Sequence, residues 1–421
     1  MIYNLISYLK IIILLISSVF LFRKFLINYS SGIINYLLLL TIATLIGFST
    51  PVLFPFSFFL LVIFIELSIK KYKINYLYLL IFLYAIIATY INGSQLLGYD
   101  QNLALGILML SVPVSNWLYL QTSFKLIITL LSYIISYCLF IFFKIGANLF
   151  DFNYILDGES RLLTIKSYLS SQTDDLKLDP NFLSIHAGFG LILILILNKF
   201  YLKSLLLFFK TYKIRIINNE FKLRILSLAL VLFFSLIFLR GFSRGATLAL
   251  FFSIIFLYNF KFLSKSFLIS TFLVVYFLTY FGFIDIFLNR FSSDDNIGGR
   301  GLIWEFLYHW TIENFTFIIG TGLNYPWWND WQLDNGNYIG LHNSWLTIIL
   351  RLGIIMSFLL FSKILKNNML GFFSISPIRN IKRVIFVYIF LGASSMDLMN
   401  GIFWWIAFVF SISKSSELKL K

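Results

Sequence analysis

Residues 290–361 read RFSSDDNIGGRGLIWEFLYHWTIENFTFIIGTGLNYPWWNDWQLDNGNYIGLHNSWLTIILRLGIIMSFLLF. The first part is polar, with Gly298 and Gly299 before Arg300, a tryptophan-rich patch (Trp327, Trp328, Trp331), and His342 at its end. The second part, from Trp345 onward, is an apolar segment long enough for a helix to cross the ~30 Å hydrocarbon layer. A hydrophilic loop emptying into such a segment predicts helices embedded in lipid, with the chemistry gathered at one face.

The rest of the chain agrees. Of 421 residues, 60% are hydrophobic and only 12% charged, with a mean hydropathy of +0.89, which excludes a water-soluble globule of this size. Apolar runs fall at about 1–22, 33–49, 51–69, 75–91, 101–120, 124–143, 182–198, 225–240, 244–260, 266–284, 343–361, 384–398 and 401–413. They predict an all-α polytopic bundle of about 12 or 13 transmembrane helices, one integral membrane domain over 1–421. A lipid-facing barrel would need short alternating strands instead. Residues 1–22, broken by Lys10 and followed by Arg23 and Lys24, read as an uncleaved anchor or interfacial segment. Cys138 is the single cysteine, excluding a disulfide framework. Three histidines, His186, His309 and His342, argue against a His-rich metal site.

The net charge of +15 does not point to nucleic acid, because it tracks one side of the membrane. The link 199–224 carries Lys199, Lys203, Lys210, Lys213, Arg215, Lys222 and Arg224 against Glu220, so the positive-inside rule makes it cytoplasmic. Alternation then makes 144–180, mixed in sign, the first external loop and 285–341 the main external loop, expected to carry short helices. The basic residues 363–383 and the C-terminal tail return to the cytoplasm.

Three features meet at the external face. LRGFSRGAT places Arg240 and Arg244 at a membrane boundary; they suit an anionic group, and they equally suit snorkelling at a helix end. IGGRGLIWEFLYHW reads as a surface helix with Ile303, Trp304, Leu307 and Trp310 on one side and Arg300 near its start, either an anion site or an arginine paired with Asp294, Asp295 or Glu305. LHNSWLTIILRLG puts His342 at the mouth of a span. A neutral imidazole there can take a proton from a sugar hydroxyl while guanidiniums hold a diphosphate. Trp327 and Trp328 fit stacking on sugars and an interfacial aromatic belt equally.

These residues resemble the O-antigen ligase and O-antigen polymerase superfamily of bacterial envelope assembly. The resemblance covers most of the second half, with a core at about 181–361. It rests on Asp179-Pro180-Asn181, Ser243 to Ala246, Arg300 with Trp304, Gly320 with Gly322, and HNSWL at 342–346. The ligase pattern fits His342, Asn343 and Gly353 and departs at Met356, which leaves ligase and polymerase both open. The resemblance implies a GT-C-like fold and metal-independent, inverting transfer of an undecaprenyl-diphosphate-linked glycan. The acceptor would be lipid A core or a growing glycan, on the periplasmic side of the bacterial inner membrane, with no cofactor. Carried over by position, His342 is the base, and Arg244, Arg300 and Arg240 bind diphosphate. Asn181, Asn343, Trp304, Trp327 and Trp328 are candidates for glycan contact or structural support.

Two other classes compete. A flippase or transporter of lipid-linked glycan would favour ionisable residues within spans, and these look scarce: Glu66 lies near Lys70, and Asp397 falls between the last two spans. A metal-dependent lipid-linked glycosyltransferase would need an early external acid, and 49–55 has none.

Overall fold

A computed structural model describes residues 76–92, 123–144, 163–165, 176–178, 180–211, 219–241, 243–258, 300–323, 343–369 and 377–395, with Leu37, Thr41, Ile42 and Leu45 as isolated positions. Apart from one antiparallel pair of three-residue strands, β1 (Leu163–Ile165) and β2 (Leu176–Leu178), the described secondary structure is helical. The apolar runs at 1–22, 51–69, 101–120, 266–284 and 401–413, and most of 33–49, lie outside the described residues.

The first helices are α1 (Tyr76–Ile91), α2 (Ser123–Lys144), α3 (Pro180–Phe200) and α4 (Leu202–Thr211). Then come α5 (Glu220–Gly241), α6 (Arg244–Leu257), α7 (Arg300–Glu313), α8 (Thr316–Ile319), α9 (Ser344–Met369) and α10 (Pro377–Ser395). Among the described residues, three segments are long and apolar enough to cross a membrane: Asn181–Phe200, Glu220–Gly241 and Ser344–Ser362. Of α3, 78% is buried, against 28% of α5, so α3 is the central rod and α5 lies against its flank.

Lipid tails are as apolar as leucine, so helices in a bilayer are held by close packing and interhelical hydrogen bonds. Both surround α3. Tyr137 of α2 donates to Leu183 O at 3.0 Å, and Tyr388 of α10 donates to Ile185 O at 2.6 Å. The Tyr133 hydroxyl lies 2.7 Å from His186 Nδ1. On α6, the small residues Ala246, Ala249 and Ser253 are fully buried where it packs on α10 and α3.

Hydrogen bonds also fix which helix ends meet. Lys199 Nζ and Asn380 Nδ2 both donate to Leu257 O, gathering the end of α3, the end of α6 and the start of α10. A cation at these last carbonyls suits the helix dipole. At the opposite end of the bundle, Ser184 Oγ donates to Phe238 O at 3.1 Å and accepts from Ser243 N at 3.1 Å. That second end collects the start of α3, the end of α5 and the start of α6.

Three elements differ from the sequence reading. The basic link 199–224 contains α4, whose Leu205 and Phe208 are buried while Lys203 and Lys210 are exposed. α10 begins at Pro377, seven residues before the expected 384, because proline suits the first helical position and Asn380 is spent on Leu257 O.

The largest difference is in α9. The stretch is long and apolar enough to span, but it is not a straight rod. Gly353 has φ 68° and ψ 168° and divides it into half-helices 344–352 and 354–369. Ser357 Oγ donates to Ile348 O at 3.1 Å, although nine residues of straight helix would separate them by about 13 Å. The Trp345 and Phe361 rings stand 5.2 Å apart, centre to centre, where a straight helix would rise about 24 Å. The halves therefore fold toward each other as a sharp V.

A break in a lipid-embedded helix leaves main-chain groups that must find partners inside the protein. Here Thr321 N donates to Leu350 O at 3.0 Å and Gly322 N to Arg351 O at 2.8 Å. The segment 316–323 is inserted into the break.

Candidate functional site

The site expected from the sequence falls on two parts of the fold. At the α5–α6 corner, Arg240 lies buried in the last turn of α5, and Arg244 opens α6 half-buried. Ser243, in extended conformation, is the N-cap residue and makes no side-chain cap bond. Its own N–H is fixed by Ser184 instead. Half-buried Asn181 stands one turn before Ser184 on α3. The structure thus brings Asn181, Arg240 and Arg244 to the same end of the bundle. A helix N-terminus carries partial positive charge, and arginine at that position adds to it, so the corner suits an anion and disfavours a cation.

The second part is the start of α9. Asn343 Oδ1 accepts from Trp345 N and Leu346 N, both at 3.1 Å, which makes Asn343 the N-cap; such caps contribute about 1 kcal/mol. Trp345 Nε1 donates to Phe390 O at 3.1 Å. Since α10 runs from the Leu257 end of the bundle, this bond ties the start of α9 toward the other end, where Arg244 lies. His342, immediately before Asn343, lies outside the described residues, as do Trp327 and Trp328.

Arg300 is the first residue of α7, as the sequence suggested. Of the predicted stripe on α7, Trp304, Leu307 and Trp310 are turned inward: Leu307 is buried with Leu350, and Trp304, Phe306, Trp310 and Leu346 pack around them. Glu305, Tyr308 and His309 are exposed. The helix that starts at Arg300 therefore lies against the half-helix that starts at Ser344. Of the support candidates, Asn343 and Trp304 occupy structural positions, a helix cap and a packing contact.

The sequence reading passed over Arg351. This is the largest fully buried side chain in the described residues, and its Nη1 donates to Leu323 O at 3.2 Å. A cation within an apolar run is the signal that finds it, and it adds an ionisable residue to those already counted at Glu66 and Asp397. The G-x-G of 320–322 and the Gly353 of the quoted motifs also acquire a physical reason. All three glycines have positive φ; Gly320 and Gly353 face each other's backbone across the break, and Gly322 lies against Thr89 of α1.

No family model, no curated protein and no solved structure matches the chain. The likeness to the ligase and polymerase superfamily rests on the short motifs quoted above.

Proposed function

We propose that this protein transfers a glycan from undecaprenyl diphosphate to an acceptor at the outer face of the bacterial inner membrane, as an O-antigen ligase or polymerase does. The observation that carries this reading is the α5–α6 corner, where Arg240 in the last turn of α5 and Arg244 at the first position of α6 stand at the same end of the bundle as Asn181. In the proposed step an acceptor hydroxyl oxygen attacks the anomeric carbon with inversion. The bond to the diphosphate breaks, the lipid diphosphate leaves with the electron pair, and the hydroxyl proton passes to His342. Arg244 and Arg300 compensate the charge that grows on the leaving diphosphate.

Arg244→Ala and Arg300→Ala are each expected to lower turnover by roughly 10²-fold, the scale of losing one preorganised charge-stabilising donor. Lysine at either position should restore only part, because it lacks the bidentate fork. Transfer of labelled glycan from its lipid diphosphate, measured with purified protein, tests this. Normal rates in both alanine variants would remove the arginines from the mechanism.

The break at Gly353 and the buried Arg351 favour a second reading, since carriers build sites on discontinuous helices. That reading is a flippase for the same lipid-linked glycan. The two separate in detergent, where there is no second compartment: a transferase still forms a new glycosidic bond and a flippase forms none. A deletion strain separates ligase from polymerase, because a ligase leaves no glycan ladder on lipid A core and a polymerase leaves a single repeat.

The reading requires 199–224 to face the cytoplasm and 285–341 the periplasm. In a Cys138→Ser background, Ser293→Cys should react with a membrane-impermeant thiol reagent on intact spheroplasts and Ser204→Cys should not. Labelling at 204 would reverse the topology.

A further inference from the structure

We infer that Tyr84, Thr89 and Asn92 of α1 are positioning residues that set where the first half of α9, capped by Asn343, stands in the bundle. As a statement about catalysis, this rests on the transfer reading above. Its structural core is independent of that reading.

The argument starts from the backbone of 319–323. Inside an apolar bundle each of its polar groups needs a partner, and two helices supply them from opposite sides. From α1, Tyr84 donates its hydroxyl to Ile319 O at 2.7 Å, Asn92 Nδ2 donates to Gly320 O at 3.1 Å, and Thr89 Oγ1 accepts from Leu323 N at 2.7 Å. From α9, Leu350 O and Arg351 O accept from Thr321 N and Gly322 N, and Arg351 Nη1 donates to Leu323 O. The segment is therefore a two-sided connector between the end of α1 and the break in α9.

Covalent continuity does not fix the same relation. Residues 324–342 separate the connector from α9, and a connection of that length reaches roughly 60 Å when extended. Hydrogen bonds to the break hold α9 in place, and α1 holds the connector. Two of the three α1 groups, Thr89 and Asn92, are also bonded to their own helix in a way that orients them. Thr89 Oγ1 also donates to Ala85 O at 2.7 Å, and Asn92 Nδ2 also donates to Ala88 O at 2.7 Å. Thr89 thus presents its lone pair, and Asn92 its second N–H, toward 319–323. Downstream, the half-helix 344–352 carries the Asn343 cap and the Leu346 and Leu350 surface on which α7 packs. A shift at the connector moves the ends of both α7 and α9 relative to the arginine corner on α6.

The test uses the full chain with Cys138→Ser and spin labels at Leu248→Cys on α6 and Ile349→Cys on α9. Parent, Thr89→Val, Thr89→Ser and Tyr84→Phe are compared. Thr89→Val keeps the shape and loses both hydrogen bonds; Thr89→Ser keeps both; Tyr84→Phe removes a single hydroxyl at a half-exposed position and serves if the valine variant does not fold. Thr89→Val and Tyr84→Phe should broaden or shift the label distance, and Thr89→Ser should restore it. In the transfer assay, kcat should fall about 10- to 100-fold with KM for the lipid donor unchanged, because misplacement affects the reacting geometry and leaves the diphosphate contacts alone. An unchanged label distance in Thr89→Val and Tyr84→Phe overturns the inference. So does a changed distance with kcat intact, or a loss that Thr89→Ser fails to rescue. A parent protein that transfers nothing defeats the transfer reading instead, while the label distances still decide whether α1 positions α9.

Discussion

A Gly353→Ala variant is expected to lose much of its folded yield and to unfold several degrees lower in detergent. Alanine in the interior of a helix is normally more favourable than glycine by about 1 kcal/mol, so the expected sign is opposite to the general rule. At φ 68° and ψ 168° the backbone occupies a region that residues with a Cβ enter at a cost of about 1–3 kcal/mol. The added methyl would also meet Ile318 O and the Ile319 carbonyl carbon. These are backbone atoms and cannot rotate aside, which adds about 1–3 kcal/mol of overpacking. Against a typical net stability of about 5–15 kcal/mol, that is a large fraction. Gly320→Ala should behave alike, because its Cβ would strike Arg351 O and Gly353 N from the other side of the same contact. Size-exclusion profiles and thermal unfolding of the purified proteins give the answer. A Gly353→Ala protein as stable as its parent would mean that α9 is continuous.

The contrast between α1 or α2 and α9 shows what hydropathy can and cannot see. The expected runs 75–91 and 124–143 correspond to Tyr76–Ile91 and Ser123–Lys144 almost to the residue, because in a bilayer the apolar length is itself the constraint. The break at Gly353 lies between Leu352 and Ile354, as apolar as any residues in the span, and the nearby Arg351 marks a charge there and not a bend. No transfer scale registers a backbone dihedral. α4 was hidden for the opposite reason: lysines at its two ends made a helix with a buried Leu205 and Phe208 look like a charged link.

The site was legible to a similar extent. Arg240 and Arg244 could be placed at one boundary from the span count, and Arg300 at a helix start from the glycine pair before it. What could not be read was the partnership of α1 with 319–323. It joins residues more than 200 positions apart through main-chain carbonyls, which leave no side-chain signature. The role of Asn343 was likewise open until its carbonyl oxygen was seen accepting from Trp345 N and Leu346 N.

Replacement of His342 by alanine should have the largest effect on rate, about 10²–10⁴-fold in kcat, the usual contribution of positioned proton transfer. The expectation follows from position and chemistry together. His342 directly precedes the cap residue of α9, whose first half is tied to α10 through Trp345 and to α7 through Leu346. Binding of the lipid donor should persist in His342→Ala, because that interaction is assigned to the arginines. Asn343→Ala should show the converse pattern, a loss of about 1 kcal/mol in stability from the missing cap with a smaller change in kcat. The pH dependence supplies an independent check. A general base works only unprotonated, so kcat of the parent should fall toward acid pH as imidazoles take up a proton. The residual rate of the alanine variant should lack that limb. Turnover should also survive a chelator, since the step drawn here uses no metal. Near-parental turnover by purified His342→Ala, or a parent activity abolished by chelation and restored by a divalent ion, would replace the imidazole with a metal-dependent mechanism.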